Sequence, residues 1–210
     1  MSFLTEFIRS PWTVGAVAPS SAALARVATA PVPRTAGTVV VELGAGTGAF
    51  TGHIQQRLAG NGHHVAVEIN ERLAIRLATR YPTVDVALAD ARDLDAVLAS
   101  RGLPHADVIV SGLPWAAFAE GQQRDVLSAA VDALSPGGVF TTFAYVHARW
   151  APPARRLQRA LESRFDEVVV GRTVWGNLPP ALVYHCRRPA PVPVAGAGTR
   201  GGRAVHPSGR

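Results

Sequence analysis

The chain has 210 residues, 48% hydrophobic and 17% charged, which excludes a disordered or fibrous protein and fits one globular domain with a sizeable core. No apolar run approaches the roughly 18 residues of a bilayer-spanning helix, and the first residues have neither the basic start nor the long apolar stretch of a secretory signal. All 21 basic residues are arginines, giving a net charge of +6; three of them, Arg200, Arg203 and Arg210, lie in an acid-free stretch after residue 188, so the remaining body is only mildly basic and weak ground for a polyanionic partner.

Residues 1–10 form an amphipathic segment, with Phe3, Leu4, Phe7 and Ile8 apolar beside Glu6 and Arg9. Such a segment docks on its own domain or lies on a membrane surface. Pro19-Ser20-Ser21 is a helix N-cap signal, a helix is expected over 22–30, and Pro31 and Pro33 end it. The stretch 39–48 then organises the chain. Val39, Val40 and Val41 are a buried-strand signal, Glu42 and Leu43 follow, and Gly44, Gly46 and Gly48 make a tight turn. A helix over 49–58 carries Phe50, Ile54 and Leu58 on one face. Strand, glycine-rich turn and helix together are the nucleotide-binding opening of a doubly wound sheet.

The alternation continues. Strands are expected over 64–68, 84–90, 107–110, 139–145 and 167–170, and helices over 71–80, 120–134 and 152–164. Ser135-Pro136-Gly137-Gly138 reads as the stop of the 120–134 helix. A last strand over 181–185 follows a loop too short for a helical crossover, so it must be antiparallel. The fold class is therefore α/β, a mostly parallel seven-stranded sheet with an antiparallel last strand and helices on both faces. Residues 1–34 read as an N-terminal helical segment, 35–188 as the domain, and 189–210, rich in Pro, Gly, Ala and Arg, as a disordered tail. Cys186 is the single cysteine, which excludes an intrachain disulfide and makes the cytoplasm the default setting.

The glycine turn alone is compatible with dinucleotides, nucleotides or S-adenosylmethionine. It is no P-loop, because there is no lysine to reach a phosphate. Three acids narrow the choice. Glu42 precedes the turn, Glu68 ends the second strand where a carboxylate accepts ribose hydroxyls, and Asp90 ends the third, within reach of an adenine amino group. An acid-rich pocket suits a cationic sulfonium and repels a pyrophosphate, so the cofactor reading is S-adenosylmethionine, with no metal.

Val41-Glu42-Leu43-Gly44-Ala45-Gly46-Thr47-Gly48 with Glu68 and Asp90 resembles the class I S-adenosylmethionine-dependent methyltransferases, which implies their Rossmann-like fold. Three further stretches resemble the bacterial phospholipid N-methyltransferases acting on phosphatidylethanolamine: residues 13–21, Ser111-Gly112-Leu113-Pro114, and 175–184 with its Asn177-Leu178-Pro179-Pro180-Ala181. The chain is also similar to the ribosomal RNA adenine dimethyltransferases. Their fourth-strand motif, N-[LI]-P-[YF], is represented here by Ser111, Leu113, Pro114 and Trp115 with Gly112 inserted, and no counterpart of their helical C-terminal domain is expected within these 210 residues. The resemblance implies a cofactor site of Glu42, Gly44, Ala45, Gly46, Thr47, Gly48, Glu68, Ile69, Asp90, Ala91 and Ser111, with Pro19 and Ser20 at its methionine end. It implies an acceptor that is an amine, first that of phosphatidylethanolamine or a related lipid. A small-molecule amine from a biosynthetic pathway is the alternative, and nucleic acid ranks behind both.

Methyl transfer from a sulfonium needs in-line alignment and exclusion of water more than acid–base chemistry. The loop Ser111, Gly112, Leu113 and Trp115 is read as the aligning element, with backbone carbonyls accepting amine hydrogens and Trp115 as an apolar or cation–π wall. An amine must also shed a proton, for which Tyr145 and His147 are the candidates. Residues 1–12, with Phe3, Phe7, Trp12 and Arg9, are read as a lid or peripheral membrane contact, and Arg26 as a neighbour of lipid phosphates.

Overall fold

The structure, a computed structural model, describes residues 20–190, so the readings for residues 1–19 and for the tail beyond 190 lie outside it. Its helices are α1 (Ala22–Ala28), α2 (Thr51–Leu58), α3 (Glu71–Arg80), α4 (Leu94–Ala99), α5 (Glu120–Asp132) and α6 (Pro152–Arg164). Its strands are β1 (Thr38–Leu43), β2 (Gly62–Glu68), β3 (Asp85–Leu88), β4 (Ala106–Ser111), β5 (Leu134–Tyr145), β6 (Phe165–Val170) and β7 (Ala181–Pro189). They form one sheet in the order β3-β2-β1-β4-β5-β7-β6, and β7 runs antiparallel to both neighbours. The ten residues between β6 and β7 leave no length for a crossover helix, which is the physical reason for the reversal.

Alternation along the strands sends side chains to two cores. Val39, Val41, Leu43, Val65, Val67, Ile109 and Phe140 pack under α4, α5 and α6. Val40, Val108, Val110 and Val183 pack under α1 and α2, while Leu77 brings α3 onto Ala66. Each fully buried Leu, Ile or Phe contributes about 1.5–3 kcal/mol, so truncating Ile109 or Phe140 would attack the sheet centre.

The helix over 71–80 forms as expected, capped by Asn70, whose side chain accepts from the Leu73 N–H at 3.2 Å. The helix over 152–164 starts at Pro152 and Pro153, where a missing N–H costs nothing. Two local readings change. α4 is a helix beyond those expected, and Leu94, Val97 and Leu98, all buried, are its short i, i+3, i+4 signal. Ser135–Gly138 does not precede the fifth strand but lies inside it: Ala106 pairs Leu134 and Val108 pairs Val139, so the extra residues bulge out. The cause is that the Pro136 ring removes a ladder donor while the flanking residues still have partners.

Candidate active site

The chain leaves β3 and crosses over β2 and β1 to enter β4, so β1 and β4 flank the topological switch point where doubly wound sheets hold ligands. The turn after β1 is built by glycines with positive φ, +71° at Gly44, +56° at Gly46 and +86° at Gly48, values that L side chains rarely adopt. A Cβ at Gly44 would lie 2.7 Å from Leu113 Cδ2, and one at Gly112 would lie 3.0 Å from the Gly44 carbonyl oxygen. The Gly112 N–H donates to the Leu43 carbonyl at 2.8 Å. The glycine turn and the Ser111–Trp115 loop therefore touch across the switch point, and both can close only because Gly44 and Gly112 lack side chains.

Glu68 is buried at the end of β2. Its two carboxylate oxygens accept one backbone N–H each, Gly46 at Oε2 and Asn70 at Oε1, both at 2.8 Å. It locks the turn and keeps further lone pairs free for a diol. Ile69, next along, is 45% exposed, an apolar platform of the kind a planar ring covers. Gly46, by contrast, would meet nothing nearer than 3.9 Å on gaining a Cβ. Glycine cradle, acid with spare acceptors and exposed apolar platform fit an adenosyl group. Ala45 and Ala91 are buried, and Thr47 is exposed.

Three candidates are placed otherwise than the sequence implied. Glu42 is 0% exposed and lies behind the turn, where Oε2 accepts from the Thr51 hydroxyl at 2.7 Å and stands 3.2 Å from His64 Nε2. Gln55 Nε2 bonds His64 Nδ1 at 2.9 Å. Glu42 thus ties β1 to the first turn of α2 and to β2, because the pleat turns it to the face α2 covers. Asp90 follows β3 rather than ending it, and both of its oxygens accept from the Arg92 side chain. Those bonds hold its carboxyl below the ordinary value, with a smaller opposing effect of burial. Trp115 is 3% exposed and forms no wall of an open site. Its ring packs edge-on against Phe118 and Phe140, and its Nε1 donates to Ser111 Oγ at 3.0 Å. Gln123, buried on α5, holds the turn by donating to the Trp115 carbonyl at 3.1 Å. Ser111 is buried as well, which leaves the half-buried Gly112, Leu113 and Pro114 as the accessible part of the loop.

At the end of β5, Tyr145 and His147 stack with ring centroids 5.8 Å apart. Phe143 meets Tyr145 edge-on at 5.5 Å and Phe50 at 6.0 Å, so an aromatic row runs from beneath the glycine turn to the surface. Burial pushes the Tyr145 phenol above its ordinary value, so at neutral pH it is a hydrogen-bonding O–H and no base. Asn177 belongs to the 175–184 stretch that carries the resemblance to the phospholipid enzymes. It is buried and accepts the Ser21 N–H at 2.8 Å while its Nδ2 donates to the Pro179 carbonyl at 2.8 Å. It pins the β6–β7 loop to the start of α1, next to the half-buried Ser20; Pro19 lies outside the described residues. The pairing spans 156 positions in sequence, so nothing local announces it.

A family model described as a methyltransferase domain matches residues 40–138. The chain is 35% identical over 188 residues to an ornithine lipid N-methyltransferase of Singulisphaera acidiphila, covering 88% of this chain and 94% of that one. Among solved structures it resembles an S-adenosylmethionine-dependent O-methyltransferase of Thermotoga maritima, with a TM-score of 0.63 at 14% identity over 91% of this chain and 73% of that one. It also resembles the N-methyltransferase NodS of Bradyrhizobium japonicum, with a TM-score of 0.55 at 18% identity over 79% and 92%. These structural likenesses carry the fold, and the curated relative carries the family. With the glycine turn and Glu68 at the switch point of such a sheet, the chain belongs to the class I S-adenosylmethionine-dependent methyltransferases.

Proposed function

We propose that the chain transfers methyl groups from S-adenosylmethionine to the primary amine of a membrane lipid, an ornithine lipid or phosphatidylethanolamine. One observation carries the lipid reading: the likeness to the ornithine lipid N-methyltransferase extends over 188 residues, well beyond the methyltransferase-domain match at 40–138. It therefore takes in segments outside the cofactor half, where an acceptor is chosen.

S-adenosylmethionine supplies an electrophilic methyl on a sulfonium, and the protein's work is alignment and exclusion of water. Gly44, Gly46 and Gly48 give it close backbone approach, Glu68 has acceptor capacity for the ribose hydroxyls, and Ile69 offers its exposed side chain to the adenine. On the acceptor side, the Leu113 and Pro114 carbonyls already accept from Trp115 and Ala117, and the Ser111 carbonyl from Thr142. No donor among the described residues reaches the Gly112 carbonyl, which makes it the acceptor for an amine hydrogen beside the glycine turn. The Tyr145 hydroxyl orients the amine from the other side.

The test is transfer of labelled methyl from S-adenosylmethionine by the purified chain to ornithine lipid, phosphatidylethanolamine, total RNA and a set of small amines. Label in either lipid supports the proposal. Label confined to RNA or to the small amines overturns it.

A further inference from the structure

On the α6 face of the sheet, away from α1, a groove of about 460 Å³ opens between α6 and the β6–β7 edge. Its floor includes Leu182 and the exposed Val170, and its rim carries Arg149, Trp150, Arg155 and Arg159. Trp150 is 70% exposed, with the Arg149 guanidinium carbon 4.2 Å from its ring centroid. Arg155 and Arg159 lie one turn apart on α6, and the backbone carbonyl of the first accepts from Nε of the second at 3.3 Å. Among the described residues, none of the three arginines has an acid within ion-pair distance. The one acid lining the groove, Glu162, accepts from Gln158 Nε2 at 2.8 Å.

We propose that this groove is a docking site for the phosphate of an anionic phospholipid and seats the α6 face, with Trp150 immersed, on a bilayer surface. Charge complementarity selects the ligand: three unpaired guanidiniums against one engaged carboxylate leave the groove net positive, and guanidinium matches phosphate oxygens bidentately. The apolar neighbours select a bilayer over RNA. Trp150 is amphipathic and suits the headgroup layer, and the exposed Val170 of the edge strand adds an aliphatic surface beside it. The groove also has the size of one headgroup and not of a strand. It sits four residues past Tyr145, so docking there places the end of β5 close to the lipid surface. The proposal concerns a surface separate from the methyl-transfer site and does not depend on which amine is the acceptor.

The test is flotation of the full chain with vesicles of phosphatidylcholine alone and of phosphatidylcholine mixed with phosphatidylglycerol. Wild type should float with the mixed vesicles and not with the neutral ones, and inorganic phosphate should not displace it. Each arginine near an anionic surface changes binding by about fivefold, so the double variant Arg155→Gln/Arg159→Gln should bind roughly 25-fold more weakly. Arg159→Lys, which keeps the charge, should stay within about fivefold of wild type, and Trp150→Ala should weaken binding without altering its dependence on phosphatidylglycerol. Unchanged thermal midpoints show that the variants are folded. Flotation of the double variant equal to wild type overturns the proposal, as does full displacement by inorganic phosphate, or retention of an RNA oligomer without any vesicle binding. Labelled-methyl transfer to detergent-dispersed lipid separates the two readings: if it fails while groove-dependent flotation persists, only the proposed substrate falls.

Discussion

Glu68→Gln tests the geometry of the cofactor turn most directly. The carboxylate accepts two backbone N–H groups at 2.8 Å, from Gly46 and Asn70. Glutamine retains one acceptor oxygen, and its NH₂ must then face one of those two donors. The fold loses one hydrogen bond to a charged group, about 1.5–3 kcal/mol, against a total stability of about 5–15 kcal/mol. For a chain of this length, at about 2–4 °C per kcal/mol, that lowers the thermal midpoint by about 3–12 °C. The same change removes charge and acceptor capacity where the ribose hydroxyls are proposed to bind, so S-adenosylmethionine affinity should fall roughly tenfold or more. Differential scanning calorimetry reads the first effect, and titration calorimetry well below the melting range reads the second. A wild-type midpoint would refute the view that Glu68 locks the turn. A lowered midpoint with wild-type affinity would refute its contact with the cofactor.

Two further outcomes follow from single contacts. Asn177→Ala leaves the Ser21 N–H and the Pro179 carbonyl without their partner and should cost about 2–4 kcal/mol in urea unfolding, with faster proteolytic cleavage between 171 and 180; a loss under roughly 0.5 kcal/mol would mean the clamp is not built as described. Arg92 holds the Asp90 carboxyl below its ordinary value, so the pair stabilises the fold above the unfolded value of about 3.9 and the effect disappears as pH falls through the lower folded value. The gap in urea midpoint between wild type and Asp90→Asn should therefore be present at neutral pH and close below about pH 4; an unchanged gap in acid would show that Asp90 is not stabilised as a charge.

Much of the fold was legible because its signals are local. The valine run, the glycine spacing and the short β6–β7 connection each constrain a few neighbouring residues, and from these the alternating elements, the reversed last strand and the place of the glycine turn follow. Within the site, the same local pattern identified Gly44, Gly46, Gly48 and Glu68 as a group that the structure brings together. Composition also bounded the chain, and among the described residues no helix is long and apolar enough to cross a membrane.

What the sequence could not decide was the direction and company of each side chain. Glu42 follows a strand signal that looks ligand-facing, yet the pleat turns it under α2 toward Thr51 and His64. Trp115 looks like the wall of an acceptor pocket, yet Ser111 and Gln123 hold it where its ring packs against Phe118 and Phe140. Asp90 is met by Arg92, two residues away, and whether that pair forms depends on the turn between them. Asn177 and Ser21 meet, and Arg149 and Leu182 line one groove, only because β7 reverses beside β5 and carries distant segments to one edge. Burial and pairing are properties of that three-dimensional neighbourhood, so sequence alone determined most of the elements and the glycine turn, and the tertiary structure decided the short helix α4, the bulge in β5 and which side chains are left to act.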